Sequence, residues 1–107
     1  MNINYKDLKK HKIIILHGDI DYFCVSELKN AVFKLINDRV PSIILDLNYV
    51  DYMDSSGIGL IVTAYKAMSQ YGGRMSLMNV QDDVMKLLKL TTIDSLMSIY
   101  KNEKEIL

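Results

Sequence analysis

Apolar side chains recur along this chain with two different periods. Lys12-Ile13-Ile14-Ile15-Leu16-His17 is a short β-branched run stopped by Gly18, and it predicts a buried strand. Residues 3–8 predict a preceding strand that pairs with it as a hairpin. From Tyr22 to Asn37 the spacing changes. Val25, Leu28, Val32, Leu35 and Ile36 fall at helical intervals, with Glu27, Lys29 and Lys34 largely on the other side. Asp19 and Asp21 precede this helix, where carboxylates are favoured by the partial positive charge of a helix start. Pro41 ends it, and Ser42-Ile43-Ile44-Leu45-Asp46-Leu47 predicts a second clear strand.

Helical spacing returns over residues 56–71, where Ile58, Ile61, Val62, Tyr65 and Met68 make one apolar stripe closed by Gly72-Gly73. Met75 to Met78 predicts a central strand, and Asp82-Asp83 opens a helix bearing Val84, Leu87 and Leu88. Met97 to Tyr100 predicts a last strand. Asn102 and Glu105 have capping-box spacing and predict a short terminal turn. Strands alternating with helices imply parallel pairing through right-handed crossovers. The expected fold is α/β: one small domain over residues 1–107, with a mostly parallel four- to five-stranded sheet, one antiparallel edge, and helices packed on it.

The composition is that of an ordinary soluble domain of 107 residues, with 50% hydrophobic and 24% charged side chains. Thirteen bases balance thirteen acids, so no direct nucleic-acid partner is expected. Cys24 stands alone, which excludes an internal disulfide and a cysteine-based zinc cluster. The amino-terminal residues lack an apolar signal-peptide core. The uncharged stretch from Ser55 to Tyr65 is far shorter than the roughly 18 apolar residues of a membrane helix. A cytoplasmic protein without a membrane partner is expected.

Candidate chemistry is concentrated between the second predicted central strand and the helix after it. The segment Asp46-Leu47-Asn48-Tyr49-Val50-Asp51-Tyr52-Met53-Asp54-Ser55-Ser56-Gly57-Ile58-Gly59 holds three carboxylates, and no Lys or Arg occurs from Val40 through Tyr65. Such junctions are where α/β sheets place ligands and partners. Asp54 or Ser55 is expected to cap the helix, and a capping position leaves a serine hydroxyl accessible. Tyr49 and Tyr52 flank the loop and are expected to pack in the core ahead of meeting a partner. The seven methionines are expected to be core fillers, except Met53, which is expected as an exposed contact beside the serine pair.

Catalysis is not expected. There is no Gly-x-Ser-x-Gly elbow, no third glycine of a dinucleotide fingerprint, and no phosphate-binding Gly-Lys-Ser/Thr loop. His11 and His17 lack a second ligand at metal-binding spacing, so neither a metal nor a cofactor is expected.

Met53-Asp54-Ser55-Ser56-Gly57-Ile58-Gly59 resembles the phosphorylation motif of the bacterial anti-sigma factor antagonists of the STAS domain family. The likeness extends over nearly the whole chain. Leu16-His17-Gly18-Asp19-Ile20-Asp21, Ile43-Ile44-Leu45-Asp46-Leu47 and Tyr71-Gly72-Gly73 match the family's other landmarks. The resemblance implies a protein switch in which Ser55 is the phosphorylated residue. It implies as partners an anti-sigma factor with serine kinase activity, which the unmodified protein binds, and a serine phosphatase that resets the modified form. Asp21 and Asp54 match acidic positions near the partner surface. With Met53, Ser56 and Gly57 they form the expected partner-binding set. The alternative is a non-phosphorylated STAS scaffold or assembly subunit of a transport or stress-signalling complex. One departure stands out: Thr92 occupies a position where family members commonly have glycine.

Overall fold

Five strands lie side by side in sequence order, β1 (Asn2–Leu8), β2 (His11–His17), β3 (Ser42–Tyr49), β4 (Arg74–Met78) and β5 (Ile99–Tyr100). A computed structural model describes residues 1–107. β1 and β2 form an antiparallel hairpin, and every later pairing is parallel. The sheet is therefore mixed and mostly parallel, as expected.

Three helices make the crossovers: α1 (Val25–Asn37), α2 (Ser55–Ser69) and α3 (Asp82–Leu90). Successive parallel strands always step the same way across the sheet. With crossovers of one hand, that places all three helices on one face. Packing follows this geometry. Ile14, Leu16, Ile43, Leu45, Leu47, Met75 and Leu77 from alternate strand positions share one core with Leu28, Val32, Leu60, Ile61, Met68, Val84 and Leu88 from the helices. The opposite face carries a smaller cluster of Ile13, Ile44 and Met78, covered by Ile106. Burial on both faces explains why β2 and β3 are apolar runs instead of alternating patterns.

Ile106 reaches that face from a 3-10 turn over Glu103–Ile106. Asn102 caps the turn by accepting from Lys104 N–H at 3.0 Å, and Glu105 reaches back to accept from Lys101 N–H at 2.6 Å. The second bond lands one residue before the capping residue, a variation on the expected box.

α1 starts three residues later than its apolar spacing predicts. Asp21 accepts from the backbone N–H of Phe23 and of Cys24, both at 3.0 Å, and holds residues 22–24 in a turn ahead of the helix. Thr92 follows α3 with φ 61° and ψ 15°, a left-handed conformation that crowds a β-branched side chain. A β-branched residue at this family glycine position therefore strains the turn. Replacing Thr92 by glycine is expected to stabilise the fold by about 0.5–1 kcal/mol, read as a higher urea midpoint with an unchanged slope.

Candidate functional site

The starts of α1 and α2 are brought together by an extension of the β2–β3 pairing. Register between these strands shifts between Ile15 and His17, and past the shift Ile20 pairs with Met53. Ile20 N–H donates to the Tyr52 carbonyl at 3.0 Å, and Asp54 N–H donates to the Ile20 carbonyl at 3.1 Å. The two loops that precede the helices therefore run alongside each other as a short ladder.

Asp54 closes this junction. Its Oδ1 accepts from Ser56 N–H at 2.9 Å, capping α2. Its Oδ2 accepts from Tyr22 N–H at 3.1 Å, gripping the turn that leads into α1. Of the two capping candidates, Asp54 is the cap. That leaves Ser55 exposed as the first residue of α2. Partial burial pushes the Asp54 carboxyl upward, but hydrogen bonds from Ser56, Tyr22 and Gly57 outweigh it and hold the group below its ordinary value of 3.8.

The structure divides the expected partner-binding set. Asp21, Asp54, Ser55 and Ser56 lie together at the surface of the junction. Met53 and Gly57 do not belong to that surface. Met53 is only 5% exposed and belongs to the main core, and Gly57 is buried beneath it. The reason is the pairing with Ile20, which turns the Met53 side chain inward. A Cβ on Gly57 would stand 2.6 Å from Met53 Cγ and 2.8 Å from Ile20 Cγ2, so glycine is required for close packing there. Tyr49 and Tyr52, expected chiefly as core residues, are instead each 53% exposed, and Tyr49 stacks on His17 with ring centroids 4.3 Å apart.

The three carboxylates of the segment also separate. Asp46 turns to the opposite face of the sheet from the helices, where it accepts from the Asn79 side-chain amide at 3.0 Å. Asp51 is exposed beside Tyr52, Asp83 and Leu87. Only Asp54 adjoins the serine pair. A base comes from outside the segment: Lys29 of α1 lines a cleft of about 210 Å3 with Ser56, Gly59 and Thr63. No group of three or more His, Cys, Asp or Glu side chains is arranged to hold a metal ion.

Two residues at the junction escaped the sequence reading. Tyr22 and Phe23 are 73% and 85% exposed and meet edge to face, with centroids 5.7 Å apart at 84°. Large exposed aromatic side chains beside a site are the type that anchors protein interfaces. Their apolar character resembles the start of a buried helical stripe, so only the Asp21 turn reveals that they point outward. Cys24, next in the turn, has its thiol pushed up by burial and by the Asp21 carboxylate, which disfavours the reactive thiolate.

The strand–turn–helix junction, the capping aspartate and the exposed serine define a class. A family model for the STAS domain matches residues 2–106, and the chain belongs to that family. The anti-sigma-B factor antagonist of Staphylococcus aureus is 30% identical over 101 residues, covering 92% of this chain and 94% of that protein. A crystal structure of a proposed anti-sigma factor antagonist from Thermotoga maritima superposes with a TM-score of 0.92 at 28% identity, covering 97% of this chain and 90% of that one. The Bacillus cell fate determinant SpoIIAA in its phosphorylated form shares the fold, with a TM-score of 0.76 at 20% identity, over 98% of this chain and 96% of that one. The unphosphorylated SpoIIAA structure gives the same TM-score at 21% identity, covering 97% and 92%.

Two outcomes follow from the junction's geometry. Gly57→Ala is expected to destabilise the fold by about 1–3 kcal/mol through overpacking against Met53 and Ile20, measured by urea unfolding. A carboxyl whose folded pKa is depressed adds stability at pH values above its unfolded value, and that stability is lost as pH falls through the folded value. Asp54→Asn should therefore be less stable than the parent at pH 7. The gap should shrink as pH drops below 3.8, in parallel chemical denaturations across pH.

Proposed function

We propose that this chain is an anti-sigma factor antagonist switched by phosphorylation at Ser55. In its unmodified form it binds an anti-sigma factor that is also a serine kinase, and so releases a sigma factor. Phosphorylation of Ser55 blocks that binding, and a serine phosphatase restores it. The protein acts by binding and performs no reaction of its own, in the cytoplasm where sigma factors work. The observation that carries this reading is the exposed Ser55 at the first turn of α2, beside an aspartate that fixes two helix starts. The names of the Staphylococcus aureus and Thermotoga maritima relatives support an anti-sigma factor as partner, and the existence of a phosphorylated SpoIIAA supports modification.

The physics of the switch is local. A phosphate adds about −1.5 to −2 charges at neutral pH. At Ser55 it meets the exposed N–H groups and positive dipole end of α2, so the helix survives. The new charge joins Asp54 and Asp21 on the surface, with Lys29 across a cleft as the adjoining base. Burying such a charge against a partner that offers no bases costs several kcal/mol. A loss of about 3–4 kcal/mol weakens binding several-hundredfold. Tyr22 and Phe23 supply the apolar part of the same contact. In this reading they set affinity while the phosphate sets the switch.

Incubation with the host's anti-sigma factor kinase, ATP and magnesium, followed by peptide mapping, is expected to place one phosphate on Ser55 and none on Ser55→Ala. Calorimetric titration should then show Ser55→Asp binding the kinase at least a hundredfold more weakly with its amide NMR spectrum largely unchanged, and Phe23→Ala binding roughly thirtyfold more weakly. Absence of phosphoryl transfer to Ser55 would favour a STAS scaffold instead.

A further inference from the structure

The end of the sheet opposite Ser55 has the reverse chemistry. There the amino-terminal ends of the parallel strands open on a cavity of about 630 Å3. Lys9 and Lys10 reach it from the two-residue turn between β1 and β2, where Leu8 pairs with His11. His11 begins β2, Ser42 begins β3 and Arg74 begins β4. Glu105 is the only acidic side chain of the lining, and its Oε1 already accepts from Lys101 N–H.

Three bases thus outnumber the Glu105 side chain and the main-chain carboxylate of Leu107 in this lining, in a chain whose net charge is zero. The ion pairs of the structure join Met1 to Glu27, Lys6 to Glu103, Lys12 to Asp7 and Lys86 to Asp83. None engages Lys9, Lys10 or Arg74, so these three bases form no direct ion pair within the molecule. At the floor, Ser42 is 2% exposed and its hydroxyl shares a 2.7 Å hydrogen bond with His11 Nδ1. Burial and then the charges of Lys10 and Lys9 lower the His11 pKa, so the ring lies within reach of both lysine charges. The turn itself is unfavourable. Lys9 has φ 56° at the first central position of a two-residue hairpin, where glycine is preferred. Two adjacent lysines are therefore kept where backbone geometry and like-charge repulsion both oppose them, a pattern that points to use.

We infer that this cavity is a binding site for a small phosphate-bearing anion, held by Lys9, Lys10 and Arg74 over the His11–Ser42 pair. A compact dianion matches convergent point charges from separate elements better than a single carboxylate does. The site lies at the far end of the sheet from Ser55 and does not depend on the function proposed there.

The test is an NMR titration of the full chain with inorganic phosphate at pH 7 and constant ionic strength, with chloride as the matched control. Phosphate is expected to give saturable shifts confined to the amides of Lys9, Lys10, His11, Ser42 and Arg74, and to raise the His11 pKa. The double variant Lys9→Gly/Lys10→Ser removes both charges while giving the turn its preferred glycine. It should melt at a higher temperature than the parent and bind phosphate at least about tenfold more weakly. Glu105→Gln should bind more tightly. Shifts that fail to saturate, shifts that chloride reproduces, or an unchanged affinity in the double variant would each overturn the site.

Discussion

A single carboxylate ties the start of α2 to the turn that leads into α1. Asp54 accepts from Ser56 N–H with one oxygen and from Tyr22 N–H with the other. Each helix start has backbone donors with no partner inside the helix, and they must be met by something. Here one short side chain meets a donor of the α2 start and one of the turn before α1, and in that turn Asp21 meets two more. The Ile20–Met53 pairing below and the close fit of Gly57 on Ile20 and Met53 lock this arrangement from underneath. The position of Ser55 and the outward aim of Tyr22 and Phe23 follow from that clamp.

The parts of the fold that were legible in the sequence are those where burial alone decides. β2 and β3 are buried on both faces, so their residues form continuous apolar runs. The helices bury one side, so their apolar residues keep helical spacing. The junction was legible as a location because carboxylates, serines and glycine gather there without a base. Its details were not, because they depend on partners distant in sequence. Met53 looks like a loop residue until Ile20, far earlier in the chain, pairs with it and turns it inward. Tyr22 and Phe23 look like the first turn of a buried stripe until Asp21 stops the helix short of them. Lys29 becomes a neighbour of Ser56 only because α1 and α2 pack together.

The balanced net charge conceals a polar distribution. The carboxyl ends of the parallel strands lead into a base-free stretch of sequence with exposed acids, and the amino ends collect Lys9, Lys10 and Arg74. An even count of charges is compatible with strongly uneven fields at the two ends of the same sheet, and screening over about 8–10 Å at ordinary salt lets the two ends act separately. The overall extents of 29 × 29 × 25 Å exceed that distance.

This separation bears on what kind of switch the domain can be. A modification that had to be transmitted through the core would need an element with two packings of similar energy. The core beneath Ser55 gives no room for that. Gly57 leaves no space for even a methyl group against Met53 and Ile20, and the helix start is fixed by hydrogen bonds from two directions. A phosphate at the first turn of α2 strengthens the existing electrostatics of the helix start instead of opposing it. Rigid scaffold and changeable surface charge are then complementary requirements. Under the proposed switch, the clamp would hold the backbone in place on modification, and the energy of the added charge would be expressed where a partner has to desolvate it.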